Sequence, residues 1–336
     1  MTPDHDSVET VPQSGLWREE QAVLADLAGA VPEGGTIVEL GTASGGTTLL
    51  LSRLAAERGI AVHSVDITTT EEARSLLAGT AVTLHQCTSV EAAQRWRDED
   101  MGPIDLLFID AGHRLDQVTG DVNGWAGLLR PGGQLAFHDY DTPAVGGAKH
   151  LAVKICVDAL SAQGVFEDPA HAFKIFHGRV PSPEGVGVDA ASCGEALARI
   201  AARVADVLSA SARGDVDFPD SAFGRMLETC VGAIDPGQGE AGAEAVPGID
   251  KLSACYLLAG GLAHAFFPLK AQSSAPSVFW AFAEALDMLD HAQGAPGRPL
   301  CPPASANGDL MEMSKWVAAE QVRLALLLAM LETFEE

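Results

Sequence analysis

Apolar residues fall into two rhythms along this chain. From about Gly15 to Val31 they recur at helical spacing, with Leu16, Val23, Leu24 and Leu27 on one side, which predicts a lead-in helix. From Thr36 the rhythm becomes short apolar runs separated by helical segments. The runs are TIVEL, AVHSVDI, AVTLHQ, IDLLFID and QLAFHDY; the helices fall through Leu49 to Ala56, near Glu71 to Leu77, near Glu91 to Arg97 and near Leu115 to Leu129. Strand and helix in regular alternation predict a parallel sheet with helices on both faces. A further helix near Gly147 to Ala162 precedes GVFEDP and AFKIFHGRV, two strand-like runs with no helix between them. These predict an antiparallel pair closing the sheet. The expected fold class is α/β, a doubly wound seven-stranded sheet, mostly parallel with an antiparallel last strand.

After Val180 the texture changes. PSPEGVG reads as a linker, followed by Ala- and Leu-rich helical pattern broken by GAIDPGQGEAGAEAVPG and GAPGRPLCPPASANG. Helices are expected near Ala190 to Ala212, Ser221 to Ala233, Ile249 to Phe266, Pro276 to Ala292 and Leu310 to Phe334. The last carries Met311, Trp316, Val322, Leu326 and Met330, a stripe wide enough to need a partner. The predicted organisation is a flexible N-terminus (1–14), an α/β domain (15–182) and an all-α domain (183–336) serving as lid, dimerisation surface or interaction module.

Charge narrows the partners. The 336 residues hold 21 Lys+Arg against 46 Asp+Glu, a net −25 with His neutral, spread over both halves. Such a surface repels phosphate backbones and anionic lipid, so neither nucleic acid nor membrane is expected as a partner. Cys87, Cys156, Cys193, Cys230, Cys255 and Cys301 form no Cys-x-x-Cys pair, which fits thiols in a reducing cytoplasm. MTPDHDSVET lacks the basic start and apolar stretch of a signal peptide, and Ala254 to Pro268, interrupted by Gly260, Gly261 and His264, is too short to span a bilayer. A cytoplasmic homodimer is the expectation.

The first run with chemistry is TIVELGTASGGTTLLLSRLA. At the C-terminal end of a parallel strand the N–H groups of the next helix point outward, and glycines let a ligand approach them. A P-loop needs Gly-Lys-Ser/Thr, and this segment has no lysine. A dinucleotide fingerprint fails at its second glycine, where Ala43 stands. Glu39, two residues before Gly41, would repel a pyrophosphate but suits a cationic ligand. Asp66, 20 residues beyond Gly46 at the end of the next strand, can accept both hydroxyls of a ribose. E-L-G-T-A-S-G-G followed by V-D resembles the first two motifs of the class I S-adenosylmethionine-dependent methyltransferases, whose fold is Rossmann-like. That resemblance implies cofactor contacts at Glu39, Gly41, Thr42, Ser44, Gly45 and Asp66. It adds Thr88 and Ser89 after the third strand, where this fold touches adenine, and Asp110.

A second cluster lies in IDLLFIDAGHRLDQVTGDVNGWAGLLRPGGQLAFHDYD. The fourth strand ends in Asp110 with His113 three positions on, and the fifth ends in His138-Asp139, with Asp141 nearby. Both ends open over the crevice that holds the glycine loop. Pro131 to Gly133 reads as the turn into the fifth strand, and Trp125 as core. The stretch is similar to the metal-assisted O-methyltransferases of sugars and other natural products, including the macrocin O-methyltransferase-like and cephalosporin-hydroxylase-like groups. The similarity implies that Asp110, His138 and Asp139 hold a divalent cation, Mg²⁺ or Mn²⁺, and that His113 is the base. His138 stands where the sugar-methylating relatives often have a carboxylate, which moves preference from Mg²⁺ toward Mn²⁺, Fe²⁺ or Zn²⁺.

The chemistry suits these residue types. Methyl transfer is an in-line displacement needing a close, aligned and deprotonated acceptor oxygen. A cation lowers the pKa of the hydroxyl, and an imidazole, with an unperturbed pKa near ~6.5, takes the proton near neutrality. The expected function is methyl transfer from S-adenosylmethionine to a hydroxyl of a small-molecule acceptor, with Asp110 and His113 catalytic. Three alternatives stay open: a metal-independent N- or C-methyltransferase, an NAD-dependent oxidoreductase on a similar sheet, and a non-catalytic cofactor-binding interaction protein.

Overall fold

The structure is a computed structural model that describes residues 11–140, 150–199, 306 and 308–318. In order, the elements are α1 (Arg18–Ala30), β1 (Thr36–Leu40), α2 (Gly46–Ala55), β2 (Ala61–Asp66), α3 (Glu71–Leu76), β3 (Thr83–Gln86), α4 (Ser89–Asp98) and β4 (Ile104–Ile109). There follow α5 (Leu115–Trp125), β5 (Leu129–Phe137), α6 (Leu151–Ala162), β6 (Glu167–Ala172) and β7 (Ile175–Val180). Residues 190–199 and 310–318 are also helical. Asp141, the start of the helix expected from Gly147, the three helices expected between 221 and 292, and most of the last helix lie outside the described residues.

The chain divides into two compact units, one of residues 1–140, 152–196 and 304–315, the other of 141–151, 197–303 and 316–336. The sheet lies in the first. Residues 183–196 and 304–315, which the sequence pattern assigns to a helical domain, therefore fall in the same unit as the sheet. Within it Met313 is fully buried, and the Ser314 hydroxyl donates to Asp116 Oδ1 at the start of α5 (2.6 Å).

The seven strands lie in the order β3-β2-β1-β4-β5-β7-β6. β3, β2, β1, β4 and β5 are mutually parallel, while β7 runs antiparallel to both β5 and β6. This is the Rossmann-like arrangement expected. Ile37, Val62, Leu106, Phe108, Ala136 and Ile175 bury one face against α1 and α2, where Leu24, Leu27, Leu50 and Leu51 meet them. On the other face Trp96 of α4 meets Trp125 of α5 edge-on at 5.6 Å. Trp125 is fully buried, as expected for core, and its Nε1 donates to Ser89 O and Oγ. Each such large apolar side chain contributes roughly 1.5–3 kcal/mol by burial.

Local chemistry sets the boundaries. Thr88 caps α4 with a reciprocal Glu91 contact, and Thr70 caps α3, so the Thr88 side chain, expected at the adenine, also starts a helix. Of residues 11–14, expected in a flexible lead, Val11 is packed while Pro12 and Gln13 are exposed. Val11 is fully buried, with its N–H and C=O both bonded by the Gln21 side chain (2.8 and 3.2 Å). Pro131 to Gly133 is not a turn before the fifth strand but an excursion within β5. Ile104 pairs with Leu129 and Leu106 with Gln134, so β5 fits extra residues opposite one step of β4. Gly132 at φ +78° makes that loop-out possible.

Candidate functional site

The last rungs of the sheet set the key residues side by side. Gly41 N–H donates to Val65 O (2.8 Å), Asp110 N–H to Leu40 O (2.8 Å) and His138 N–H to Ile109 O (3.0 Å). Gly41, Asp66, Asp110 and His138 consequently form a row along one sheet edge. Strand alternation then selects the face. Ile37, Phe108 and Ala136 point beneath α1 and α2, so Glu39, Asp110 and His138, each two residues on, share that side.

Gly41 marks the closest approach. Its φ is +103°, and a Cβ there would stand 1.9 Å from Asp110 O, so any side chain would push the glycine loop away from the end of β4. Asp66 closes the loop from the other side. Its Oδ2 accepts the N–H groups of Thr42 (2.9 Å) and Ala43 (3.0 Å), and its Oδ1 accepts that of Thr68 (2.9 Å). The carboxylate expected to anchor a ribose thus shapes the glycine loop as well.

Glu39 lies under the loop rather than on it. It is fully buried, and its Oε2 accepts from the Thr48 hydroxyl and from Ser64 Oγ (2.7 Å), while Oε1 has no hydrogen-bond partner. The register that pairs Glu39 with Ser64 and the start of α2 create this pocket. Burial pushes the Glu39 carboxyl up to about 8, against the lowering effect of the Thr48 and Ser64 bonds. Thr42 is also buried and shares a hydrogen bond with Ser64 (2.7 Å), whereas Ser44 and Gly45 lie in the turn that leads into α2. Ser89 faces Trp125, as described above. Beside these residues two apolar side chains open to solvent, Ile67 just after Asp66 (68% exposed) and Val90 just after Ser89 (61%).

The second cluster centres on Asp139. This residue takes a left-handed backbone (φ +55°), uncommon for a residue other than glycine, and is 6% exposed. Its Oδ2 lies 2.9 Å from His113 Nε2 and 3.3 Å from His138 Nδ1, and its Oδ1 lies 3.4 Å from Lys174 Nζ. His138 Nδ1 is also 3.3 Å from Asp110 Oδ1, and its Nε2 is 3.6 Å from Glu20 Oε1. Burial works to lower the His138 pKa, but Asp110, Asp139 and Glu20 outweigh it and hold the imidazole up to about 12. Ligand atoms of Asp110, His138 and Asp139 all lie within 4.8 Å of one another. The four residues read from sequence at this end, Asp110, His113, His138 and Asp139, are brought together.

Four others in the region were not read from sequence. Glu20 is 1% exposed and reaches the cluster from α1, its Oε2 accepting the Trp17 N–H (2.8 Å). Its signal is present in the chain: with Leu16, Leu24 and Leu27 it completes the apolar stripe of α1, an unusual place for a carboxylate. Lys174 arrives through the turn between β6 and β7, which no local pattern ties to Asp139. Ile67 and Val90 are apolar residues in otherwise polar strand-to-helix turns, a signal visible in VDITTT and TSVEA.

Residues 38–140 match the family described as a methyltransferase domain. The matched segment is 103 of the 336 residues. It spans β1 to the end of β5 and contains the whole row from Glu39 to Asp139. No curated protein matches the chain by sequence. Among solved structures, the chain is similar to the MycE methyltransferase of the mycinamycin biosynthetic pathway, in complex with Mg and SAH. That likeness has 17% identity and a TM-score of 0.34, covering 46% of this chain and 47% of that one. It is also similar to an O-methyltransferase from Bacillus cereus with SAH (19% identity, TM-score 0.39, 52% of this chain and 83% of that one). A third is TomG, an O-methyltransferase from Streptomyces achromogenes involved in tomaymycin synthesis, with SAM (18%, 0.41, 51% and 83%). The chain spans about half the length of the MycE structure. Among the described residues no helix is long and apolar enough to cross a membrane.

Proposed function

We propose that this protein is an S-adenosylmethionine-dependent methyltransferase that methylates a hydroxyl group of a small molecule with the help of a divalent cation. The observation that carries the reading is the row Gly41, Asp66, Asp110, His138, backed by Asp139 and His113, on one edge of a methyltransferase domain. The crevice chemistry fits the cofactor. Asp66 offers carboxylate oxygens to a ribose, and Ile67 and Val90 offer apolar surface to an adenine. No phosphate-binding lysine stands in the loop. The bound cofactor supplies the electrophilic methyl group.

The donor set Asp110, His138 and Asp139 fits a divalent cation, with one imidazole and two carboxylates converging. Such a cation, when bound, supplies Lewis acidity that lowers the pKa of a neighbouring hydroxyl. The Asp139 carboxylate at His113 Nε2 favours the tautomer with the proton on Nε2 and the lone pair on Nδ1. Nδ1 is then the atom that takes the acceptor's proton, while Asp139 stabilises the imidazolium formed. Glu20 and Asp110 flank His138 at opposite ring nitrogens, 3.6 and 3.3 Å away, and bias its orientation by charge. The homodimer expected from sequence is open to sedimentation analysis.

Calorimetric titration of the full chain with S-adenosylhomocysteine and with NADH tests the class. Binding of the first and not the second is expected; the reverse would replace the reading with an oxidoreductase. His113→Ala should abolish methyl transfer and leave S-adenosylhomocysteine affinity intact. Retained turnover would remove His113 as the base.

A further inference from the structure

Lys174 lies in the acidic cluster and has no part in the methyl-transfer chemistry. It sits in the turn between β6 and β7, beside Phe173, which takes φ +53°. Because β7 runs antiparallel to β5, with Phe137 opposite Phe176, this turn comes back to the edge where β5 ends. The Lys174 carbonyl accepts the Tyr140 N–H (3.1 Å), which pins the turn to the residue after Asp139. Its ammonium then reaches Asp139 Oδ1 at 3.4 Å. This is not a solvated surface pair, since the side chains are 18% and 9% exposed.

The pairing uses up Asp139. Oδ2 faces the imidazoles of His113 and His138, and Oδ1 faces Lys174, so each oxygen that a divalent cation would need already has a cationic or imidazole partner. Charge agrees with position. The carboxylates of Glu20, Asp110 and Asp139 are faced at close range by His113, His138 and Lys174. A divalent ion bound between Asp110 and Asp139 would stand in the same neighbourhood as the Lys174 ammonium, and like charges there repel strongly. The lysine's four-carbon side chain can withdraw while its backbone stays tied to Tyr140.

We propose that Lys174 is a built-in competitor for the divalent-cation site, occupying Asp139 in the metal-free protein and giving way when the cation binds. This rests on the reading of Asp110, His138 and Asp139 as cation ligands. Its consequence is that cation affinity is set by the release of Lys174 as well as by the donor atoms. Linkage makes the effect reciprocal: a bound cation frees the lysine, and removing the lysine favours the cation.

The test is Mn²⁺ binding to the full chain, followed by the loss of the free-ion electron paramagnetic resonance signal, for wild type, Lys174→Met and Lys174→Arg. Lys174→Met should bind about tenfold more tightly, within the usual range for coupled sites, while Lys174→Arg, which keeps the charge, should stay near wild type. Equal or weaker binding by Lys174→Met overturns the proposal and leaves the ligand assignment standing. No binding by either wild type or Lys174→Met overturns both. A second measurement needs no variant: acetylation of Lys174 by an N-hydroxysuccinimide ester, read by peptide mass spectrometry, should rise when Mn²⁺ saturates the wild-type protein. Unchanged or reduced labelling overturns the competition.

Discussion

Replacing Gly41 by alanine should damage two parts of the site at once. The new Cβ would start 1.9 Å from Asp110 O, 2.7 Å from Asp110 C and 3.1 Å from Ala111 Cα, and ordinary contact begins near 3.4 Å. Loop and strand must therefore part by about 1.5 Å, the difference between 3.4 and 1.9 Å, where the Asp110 N–H to Leu40 O bond now closes the ladder. Holding alanine at positive φ costs about 1–2 kcal/mol, and forcing extra volume into a packed place costs about 1–3 kcal/mol. The sum is about 2–5 kcal/mol, a large share of a domain's stability. Gly59→Ala is the control, because Gly59 also has positive φ (+64°) but nothing within 4 Å of its would-be Cβ. It should lose only about 1–2 kcal/mol, the strain term alone. Urea unfolding followed by tryptophan fluorescence compares the two, and titration with S-adenosylhomocysteine reads the loop directly. If Gly41→Ala is no less stable than Gly59→Ala and binds S-adenosylhomocysteine as wild type does, the tight coupling of the glycine loop to Asp110 is refuted.

Further expectations follow from the buried charges and the returning segment. Glu39 carries a carboxyl raised to about 8 in the folded protein against 4.5 when exposed. In that window the folded state holds the proton more tightly than the unfolded chain, so stability falls as pH rises from 4.5 toward 8. Glu39→Gln should flatten this slope in urea midpoints taken at pH 5 and pH 8, and an unchanged slope counts against Glu39 as its source. Glu20→Gln keeps an acceptor for the Trp17 N–H but removes the charge facing His138. By analogy with other groups that orient a metal-binding imidazole, Mn²⁺ affinity should fall about 10- to 100-fold; unaltered affinity would leave Glu20 as a helix cap only. Ser314→Ala removes the 2.6 Å bond to Asp116 and should cost about 1–3 kcal/mol locally. Faster hydrogen exchange confined to residues 310–315 and the first turn of α5 would register it, and exchange rates equal to wild type would deny the contact any role.

Most of the sheet was legible because each strand announces itself over a few residues. TIVEL and IDLLFID are apolar runs long enough to cross a buried sheet, and their terminal polar residues fall at the edge where ligands bind in this class of fold. What sequence could not resolve is chiefly what one element does to another. Thr88 and Ser89 carry no local sign that α4 uses the first as its cap and that the second accepts from Trp125. Glu39 has the right type for a cationic ligand, but the alternation of β1 turns it under α2 toward Thr48 and Ser64. Lys174 and Asp139 are joined by hairpin geometry across 35 residues, and Pro131 to Gly133 reads as a turn unless the pairing of Leu129 with Ile104 is known. Such facts live in register and packing, for which a single chain carries no local sign.

The bond between Asp116 and Ser314 also bears on how the molecule is made. The two residues are 198 positions apart, and the intervening stretch includes the 107 residues from 197 to 303 that belong to the other unit. During synthesis the sheet can assemble long before the segment that seals the start of α5 has left the ribosome. For a chain of that length, bringing its two ends together costs roughly 4 kcal/mol of entropy before any contact rewards it. A product cut short anywhere before residue 304 would keep the Arg114 contact to Asp116 but lack the Ser314 bond, three positions from the proposed base.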